Sequence, residues 1–468
     1  MSEPPIEILG PEAQCHMSGD RAARGTIGAA ILLRCPEELS TDELVGRIKR
    51  RVHSMLDLAP RLTKVAVPVH GRRPAHVLID GPPVDLDAHI RVSGIGEEVT
   101  RERCDELLGL FMDQPLDLDR PLWEILIVPR VEGNLAAVSF RVHHFIQDGV
   151  MAFAAGGMLL LDDTPDPVLR EPPPYVQAPP PSEAALEAAR RQILREQRGE
   201  ITALASKIAR DPSAAARRSR HIAKTYEEQL AGRRSEILAR HSDRRGLEVV
   251  QFPFSEIHEC QEVTGTHVSV NDVAVTLIVR GVAAMLGPEE TDGEVIRIEV
   301  PVTLALQEGH PDDDDFDKRT AAMVLALPLD ESDPRRLLEI VHEQSRTRKT
   351  EGARDISEMM HVLGLLPGPI STRASAALWS AGNILFSNVP GPQQQLYVAG
   401  SEIVSLFGMG NLDGNNSLRI VTLSFADQIS FGIVHDKSAQ GVERLGPGIR
   451  QALAKLQGSA VAAGSSPE

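Results

Sequence analysis

The stretch FRVHHFIQDGV, residues 140–150, carries the side chains of this sequence that are best suited to chemistry. His143 and His144 are adjacent, and Asp148 and Gly149 complete the pattern HHxxxDG. A histidine with an ordinary pKa of about 6.5 can take a proton near neutral pH, so either ring could act as a general base. Asp148 followed by Gly149 is typical of a tight turn. Such a turn could return the carboxylate to the histidine loop or pair it with an arginine elsewhere.

The segment before the histidines indicates the element that must position them. Leu135–Val142 reads as a strand, and Trp123–Val128 reads as a neighbouring strand across the turn-rich sequence VEGN. Because side chains alternate across a strand, His143 and His144 are expected on opposite faces. Only one of them can then point into a given site, and the other must be held by packing or by a backbone contact.

Further elements follow from hydrophobic periodicity and capping residues. A helix is predicted over 40–58, with Ser40 or Thr41 as its N-cap, and a second one around 98–112. A buried helix is predicted over Val268–Leu286, with Ser269 or Asn271 near its start. Strands are predicted at Ile296–Val302, Ala321–Leu327, Leu418–Phe425 and Gln428–Val434. This mixture defines the fold class as α/β.

A proline-rich stretch, EPPPYVQAPPPSE at 171–183, separates the two α/β parts. Consecutive prolines favour an extended, semi-rigid spacer. Residues 183–246 have an apolar stripe at helical spacing and hold 15 Lys and Arg against 9 Asp and Glu. They are either a solvated helical surface or an amphipathic cover that meets anionic lipid or a phosphate-bearing ligand. We predict lobes at 1–170 and 247–468, joined by a crossover and basic helical segment at 171–246.

Composition excludes several classes of protein. The chain of 468 residues has a formal net charge of −17 and only 3% aromatic residues, so a nucleic-acid partner is not expected. GxSxG, GxGxxG and GxxxxGK[ST] are absent from the sequence, which disfavours serine hydrolases and NAD- or ATP-dependent enzymes. Four consecutive aspartates, Asp312–Asp315, could suggest a metal site but are typical of a solvated loop. No metal site is predicted.

The cysteines and the apolar segments bear on the compartment. Cys15, Cys35, Cys104 and Cys260 lie far apart and form no CxxC pair, so neither a disulfide framework nor a zinc site is indicated. The first residues do not resemble a signal peptide. The longest apolar stretch, about Val150–Leu161, is too short to span a bilayer. We expect a soluble, cytoplasmic protein that could still lie on a membrane surface.

HHxxxDG resembles the signature of the CoA-dependent acyltransferase superfamily. Three more segments resemble motifs of one of its branches, the bacterial wax ester synthase/diacylglycerol acyltransferase family. They are the PLW motif in RPLWEILIV (Pro121, Leu122, Trp123), the ND motif in VSVNDVAV (Asn271, Asp272) and the NVPGP motif in FSNVPGP (Asn388, Pro390, Gly391). The order and approximate spacing agree, and the resemblance runs from about residue 40 to 440.

The resemblance implies two chloramphenicol-acetyltransferase-like α/β lobes, joined by a long crossover, with a reaction tunnel between them. It implies that His144 is the base that deprotonates an acceptor hydroxyl, or amine, as this attacks an acyl thioester. The tetrahedral oxyanion then needs hydrogen-bond donors, for which Asn271 is a candidate. Asp148 would hold the loop, while Trp123 and the NVPGP loop would shape the tunnel or the lobe contacts.

The function implied is an O-acyltransferase that uses acyl-CoA or a carrier-protein thioester as co-substrate and no cofactor. Its acceptor would be of the wax ester/triacylglycerol type or a specialised metabolite, and the basic segment would serve CoA phosphates, a carrier protein or a membrane. Departures from the family pattern at Leu9–Gln14, Asp312–Met323 and Leu406–Gly414 favour the second kind of acceptor without deciding it. The alternative is a non-catalytic lipid- or partner-binding protein that keeps the fold.

Overall fold

The computed structural model describes residues 5–10, 13–14, 16–17, 25–69, 75–147, 149–230, 238, 242, 244–303, 320–350, 362, 383–412 and 416–464. The chain forms two compact units. The first unit comprises Met1–Ala223, Met359–Ala376 and Gln395–Ser405, and the second comprises Lys224–Glu358, Ala377–Gln394 and Leu406–Glu468. The domain bounds predicted from the sequence stay a prediction.

Both units are built from strands and helices, which confirms the α/β class. In chain order, the strands are β1 (Glu7–Ile8), β2 (Thr26–Arg34), β3 (Lys64–Val69), β4 (Ala75–Asp80), β5 (Ile90–Val92), β6 (Trp123–Val131), β7 (Leu135–His143), β8 (Arg245–Pro253), β9 (Val295–Thr303), β10 (Thr320–Pro328), β11 (Ile384–Val389), β12 (Tyr397–Val398), β13 (Ser401–Gly410), β14 (Leu418–Phe425) and β15 (Gln428–Asp436).

The α-helices are α1 (Thr41–Met55), α2 (Leu86–His89), α3 (Arg101–Asp113), α4 (Gly149–Leu160), α5 (Glu183–Arg210), α6 (Pro212–Leu230), α7 (Phe254–Glu259), α8 (Val270–Leu286), α9 (Pro288–Thr291), α10 (Pro334–Thr350) and α11 (Leu445–Gly464). Short 3₁₀ helices occur at Leu56–Leu58, Pro60–Thr63, Cys260–Glu262 and Val442–Arg444. Within the described ranges, no helix is both long and apolar enough to cross a bilayer.

The predicted caps and periodicities are confirmed where they were strongest. Helix α1 begins after Ser40, whose hydroxyl accepts a hydrogen bond from the Glu43 N–H at 3.2 Å. Helix α8 begins after Ser269, which forms a capping box with Asp272. The predicted strands at 123–128, 135–142, 296–302, 321–327, 418–425 and 428–434 all occur, several of them a few residues longer than expected.

The large sheet of the first unit places β7 in its middle. Its strand order is β12-β13-β2-β7-β6-β5, with β7 antiparallel to both neighbours. Nearly all side chains of β6 and β7 are buried, which explains their almost continuous apolar sequence. In this register His143 lies opposite Thr26 of β2. The two histidines therefore stand at the end of a central, fully paired strand.

A smaller antiparallel sheet, in the order β1-β4-β3, carries the first part of α5. Ala189 of α5 packs with Val69, Val77 and Ile79, and Leu186 and Ile193 border this cluster. Beyond Ile193 the side chains of α5 are exposed or half-buried. The described hydrophobic core contacts of α5 thus lie in the first part of the helix.

The sheet of the second unit has the order β10-β9-β11-β14-β15-β8 and is mixed. Strand β11 runs parallel to both of its neighbours, while the remaining pairs are antiparallel. Helix α8 packs on this sheet and is buried over nearly its whole length, in keeping with its largely apolar sequence. The N-terminal end of α8, which carries the ND motif, is thereby fixed by a hydrophobic core.

The crossing of α8 and α11 depends on a glycine, which gives a stability prediction. A Cβ at Gly281 would lie 2.6 Å from Ile449 Cγ1 and 3.0 Å from the Leu445 carbonyl oxygen. We expect Gly281→Ala to lower the free energy of unfolding by about 1–3 kcal/mol, because the closely packed helices must move apart. Denaturant unfolding measures this change.

The matched control is Gly199→Ala in α5, where an added Cβ meets nothing within 4 Å. This substitution is expected to raise the free energy of unfolding by about 0.5–1 kcal/mol, because alanine favours a helix interior over glycine. Equal stability of Gly281→Ala and the wild-type protein would contradict the close helix crossing.

Candidate active site

His143 is the last residue of β7 and is fully buried. Its N–H donates to the Leu122 carbonyl at 2.9 Å, and its Nδ1 accepts a hydrogen bond from the Phe145 N–H at 3.0 Å. The second bond fixes the ring to the turn that follows the strand. His143 is therefore the histidine that is held by burial and a backbone contact.

His144 lies just beyond β7, in the turn, and its side chain is half-buried. Its N–H donates to the Gly25 carbonyl at 2.8 Å, and the next two residues, Phe145 and Ile146, are buried. The backbone on both sides of the imidazole is thus anchored. The ring of His16 stacks on it with a centroid distance of 4.8 Å and an interplanar angle of 12°.

The other two residues of the HHxxxDG pattern are described only in part. Gly149 is the first residue of α4. Asp148 lies outside the described residues, so the expectation that its carboxylate holds the histidine loop stays a prediction.

The PLW motif is adjacent to the histidines, because β6 pairs with β7. Pro121 and Leu122 are buried, and the carbonyl of Leu122 receives the N–H of His143. Trp123 is fully buried, and its Nε1–H donates to the Leu62 carbonyl at 2.8 Å. Its described contacts are those of a core residue that supports the end of the strand.

A buried ion pair lies two residues before His143. Arg141 is fully buried and pairs with Glu124 of β6, which also pairs with Arg91 at 2.6 Å. Arg141 also donates to the carbonyls of Phe111 and Gln114 at the C-terminal end of α3. Burial lowers the pKa of the Arg141 guanidinium, and the charge of Glu124 offsets part of that change. The sequence shows an arginine, Arg141, within the largely apolar strand before the histidines, but it does not show which residues pair with this arginine.

The second unit brings the ND and NVPGP motifs together. The Asn388 side-chain amide donates to Asn271 Oδ1 at 2.6 Å, and Asn388 Oδ1 accepts from the Thr422 hydroxyl at 2.9 Å. Asn388 lies opposite Thr422 in the parallel pair β11–β14. Because its oxygen is used as an acceptor, Asn271 presents its NH₂ group as a donor. Thr422 gave no signal in the sequence.

Asp272 serves the structure of α8. Its side chain is buried, accepts from the Ser269 N–H at 3.0 Å and lies 3.0 Å from His342 Nδ1 of α10. These contacts close the capping box and tie the start of α8 to α10. Helix capping is therefore sufficient to explain why an aspartate stands at position 272.

The remaining NVPGP residues form the turn after β11. Pro390 is exposed, and the Gly391 N–H donates to the Ser424 hydroxyl at 3.0 Å. A Cβ at Gly391 would stand 1.9 Å from the Ser424 carbonyl oxygen, so only glycine fits against β14. The turn thereby fixes the strand end that carries Asn388.

The cysteines and acidic residues bear on other chemistries. Burial raises the pKa of the Cys104 and Cys260 thiols to about 12, so neither is a thiolate at neutral pH. Cys35 is also a free thiol whose pKa is raised by burial. Among the described residues, no three His, Cys, Asp or Glu side chains are grouped to hold a metal ion. The run Asp312–Asp315 lies outside those residues.

Comparison with known proteins agrees with these features. The family profile of the wax ester synthase/diacylglycerol acyltransferase catalytic domain matches residues 16–274, and that of the C-terminal domain of the same family matches 318–457. The fold and the four motifs define an acyltransferase of the HHxxxDG class. The chain belongs to the wax ester synthase/diacylglycerol acyltransferase family.

Individual proteins show the extent of the similarity. A probable diacylglycerol O-acyltransferase of Mycobacterium tuberculosis strain H37Rv is 25% identical over 388 residues, covering 81% of this chain and 80% of that protein. The structure of the wax ester synthase/diacylglycerol acyltransferase from Marinobacter aquaeolei VT8 matches with a TM-score of 0.67 at 17% identity, covering 97% and 100% of the two chains. The trichothecene 15-O-acetyltransferase from Fusarium sporotrichioides shares the fold, with a TM-score of 0.59 at 12% identity and 97% and 95% coverage.

Proposed function

We propose that this acyltransferase moves an acyl group from acyl-CoA to the hydroxyl of a lipid alcohol, with His144 as general base. The observation that carries the proposal is the different state of the two adjacent histidines. His143 is fully buried and its Nδ1 is engaged by the backbone, whereas the His144 ring is half-buried on an anchored turn. Of the two, only His144 combines a fixed backbone with a ring that a substrate can approach.

The proposed reaction is a direct transfer that does not pass through an acyl-enzyme intermediate. The His144 imidazole takes the proton of the acceptor hydroxyl while its oxygen forms a bond to the thioester carbonyl carbon. The tetrahedral oxyanion collapses, the carbon–sulfur bond breaks, and the CoA thiolate takes up the proton from the imidazolium. The proposed reaction needs no metal and no cofactor besides the thioester co-substrate.

Asn271 is proposed as a donor to the oxyanion. Its amide oxygen accepts from Asn388, which turns its NH₂ group outward from that contact. A donor held in one orientation before the reaction stabilises developing charge more than a rotating donor does. The support for this role is the orientation of the amide within the second unit.

The acceptor is proposed to be a diacylglycerol or a long-chain alcohol, because the related M. tuberculosis protein is described as a probable diacylglycerol O-acyltransferase. Specialised-metabolite hydroxyls and amines remain the competing acceptors, since three segments depart from the family pattern. A carrier-protein thioester remains the competing donor.

The test is acceptor-dependent thiol release from acyl-CoAs of several chain lengths. Diacylglycerol, fatty alcohols, small polar alcohols and amines are supplied in turn, and the acylated product is identified by mass spectrometry. Thiol release and ester formation that require a lipid alcohol support the proposal. Thermal stabilisation by acyl-CoA without any product, also with a loaded carrier protein as donor, would favour the non-catalytic binding protein.

Asn388→Ala tests the proposed role of Asn271 through its partner. Loss of the 2.6 Å hydrogen bond frees the Asn271 side chain to rotate. The proposed hydrogen bond from Asn271 to the oxyanion exists only in the transition state and is worth about 1–2 kcal/mol. Its loss corresponds to a fall in kcat of about 5- to 30-fold. KM for acyl-CoA should change little. Asn134→Ala, which removes an exposed asparagine of the β6–β7 turn, is the control, and an unchanged kcat in Asn388→Ala would contradict the role.

A lipid acceptor also implies contact with a lipid surface, for which α5 and the start of α6 are suited. Residues 190–223 carry nine Lys and Arg against three Asp and Glu. On α5, Ile201 and Ile208 are 42% and 46% exposed. We expect binding to vesicles that contain anionic lipid, weakened by salt and by Ile201→Asn/Ile208→Asn, in a co-sedimentation assay. Equal binding to neutral vesicles, or no binding, would contradict this contact.

A further inference from the structure

His16 lies on the face of the imidazole that is proposed as the base. The two rings are nearly parallel, at 12°, and their centroids are 4.8 Å apart. This is the offset-stacked arrangement that planar side chains prefer. His16 belongs to none of the four sequence motifs, and it lies two residues after the Leu9–Gln14 segment, which departs from the family pattern.

The segment that carries His16 is fixed to β4 by the side-chain amide of Gln14, which pairs with the backbone of His76 as a neighbouring strand would. Gln14 Nε2 donates to the His76 carbonyl at 2.8 Å, and Gln14 Oε1 accepts from the His76 N–H at 2.8 Å. Ala13 and Met17 are buried on either side, and the His16 N–H donates to the Ala13 carbonyl at 3.0 Å. The hydrogen bonds between Gln14 and His76, both in the first unit, therefore fix the position of His16.

The His144 imidazole lies just beyond the end of the sheet, in the turn. The Gly25 carbonyl holds its backbone N–H, and this backbone bond acts on the position of the residue, while the His16 ring acts on the orientation of the side chain. A parallel ring on one face restricts the rotation of the imidazole while the ring nitrogens, which lie in the ring plane, stay directed past the edge. The nitrogens of stacked rings do not point at each other, so the arrangement suits orientation and not proton transfer between the two.

We infer that His16 is a positioning residue, which holds the His144 ring in the orientation needed to deprotonate the acceptor. The inference rests on the proposed function, since it assigns a role to His16 through the base. It concerns the stacked ring and not the charge of His16. It predicts that another flat ring can replace His16, and that loosening the Gln14 anchor has the same consequence as removing the ring.

The experiment compares His16→Ala, His16→Phe, Gln14→Ala and the double variant His16→Ala/Gln14→Ala in the acyl-CoA assay. We expect His16→Ala to lower kcat by about 10- to 100-fold, because small misplacements of a reacting group are that costly, with little change in KM for acyl-CoA. His16→Phe should recover most of kcat. Gln14→Ala should lower kcat in the same direction, and the double variant should be no worse than His16→Ala, because both changes remove one contact.

Controls separate this inference from the proposed function and from loss of folding. His53→Ala removes an exposed histidine at the end of α1 and should leave kcat unchanged, and the melting temperature of every variant is measured. Full activity of His16→Ala beside an inactive His144→Ala overturns the positioning role alone. An active His144→Ala overturns the base assignment, and the positioning role with it. If His16→Phe is as impaired as His16→Ala while folded, the stacked ring is not what matters, and the inference is wrong.

Discussion

His144→Ala is expected to lower kcat for acyl transfer by about 10²- to 10⁴-fold, the range that a general base contributes. The variant should fold normally, because the His144 ring is half-buried and its N–H···Gly25 bond is made by the backbone. KM for acyl-CoA should change little, since the base acts on the acceptor proton. Steady-state thiol release with a lipid alcohol acceptor measures both constants.

His143→Ala is the informative companion to this variant. The His143 ring is fully buried and accepts from the Phe145 N–H, so its loss should lower the melting temperature as well as the activity. His144→Ala is expected to lower activity alone. Undiminished kcat in His144→Ala would refute the mechanism, and equal loss of stability in both variants would contradict the assignment of support to one histidine and chemistry to the other.

Glu124→Leu is expected to cause the largest loss of stability. Arg141 would then stay fully buried with a positive charge and without its carboxylate partner. Removing one member of a buried pair costs about 3–5 kcal/mol, because the desolvated charge is no longer compensated. For a unit of this size, that corresponds to a fall in melting temperature of roughly 6–20 °C. Differential scanning calorimetry measures the change.

A surface pair and a double variant give the controls. Glu402→Leu removes the partner of Arg34 in a pair whose side chains are 53% and 44% exposed, and this should cost less than about 1 kcal/mol. Arg141→Met combined with Glu124→Leu should recover part of the stability, because apolar side chains can replace a buried pair, while the Phe111 and Gln114 carbonyls lose their donor. A Glu124→Leu variant no less stable than Glu402→Leu would show that the pair is not what secures β7.

The large elements of the fold were predictable because their signals are local. Apolar runs on either side of the turn-rich sequence VEGN identified β6 and β7, and the serine cap with an apolar run identified α8. The pattern HHxxxDG at a strand end indicated the chemistry, and alternation along the strand indicated that the two histidines must differ. The structure shows this difference in another way, because β7 ends at His143 and His144 already lies in the turn.

The supports of the site were not predictable from local patterns. Thr422 orients Asn388 across a parallel pair of strands, and Glu124 meets Arg141 through the register of β6 and β7. His16 reaches His144 only because Gln14 pairs with a distant strand. None of these partners has a distinctive sequence context, since each is a common residue type at an ordinary position.

The sequence by itself determined the α/β class, the strand that carries the histidines and the motifs that define the family. These features depend on neighbouring residues, whose side-chain alternation and capping act within a few positions. Only the tertiary structure decided which histidine is buried, which amide orients Asn271 and which ring lies on His144. Those contacts join residues from 34 to more than 100 positions apart, and they exist only once strand register and packing have been fixed by the whole core.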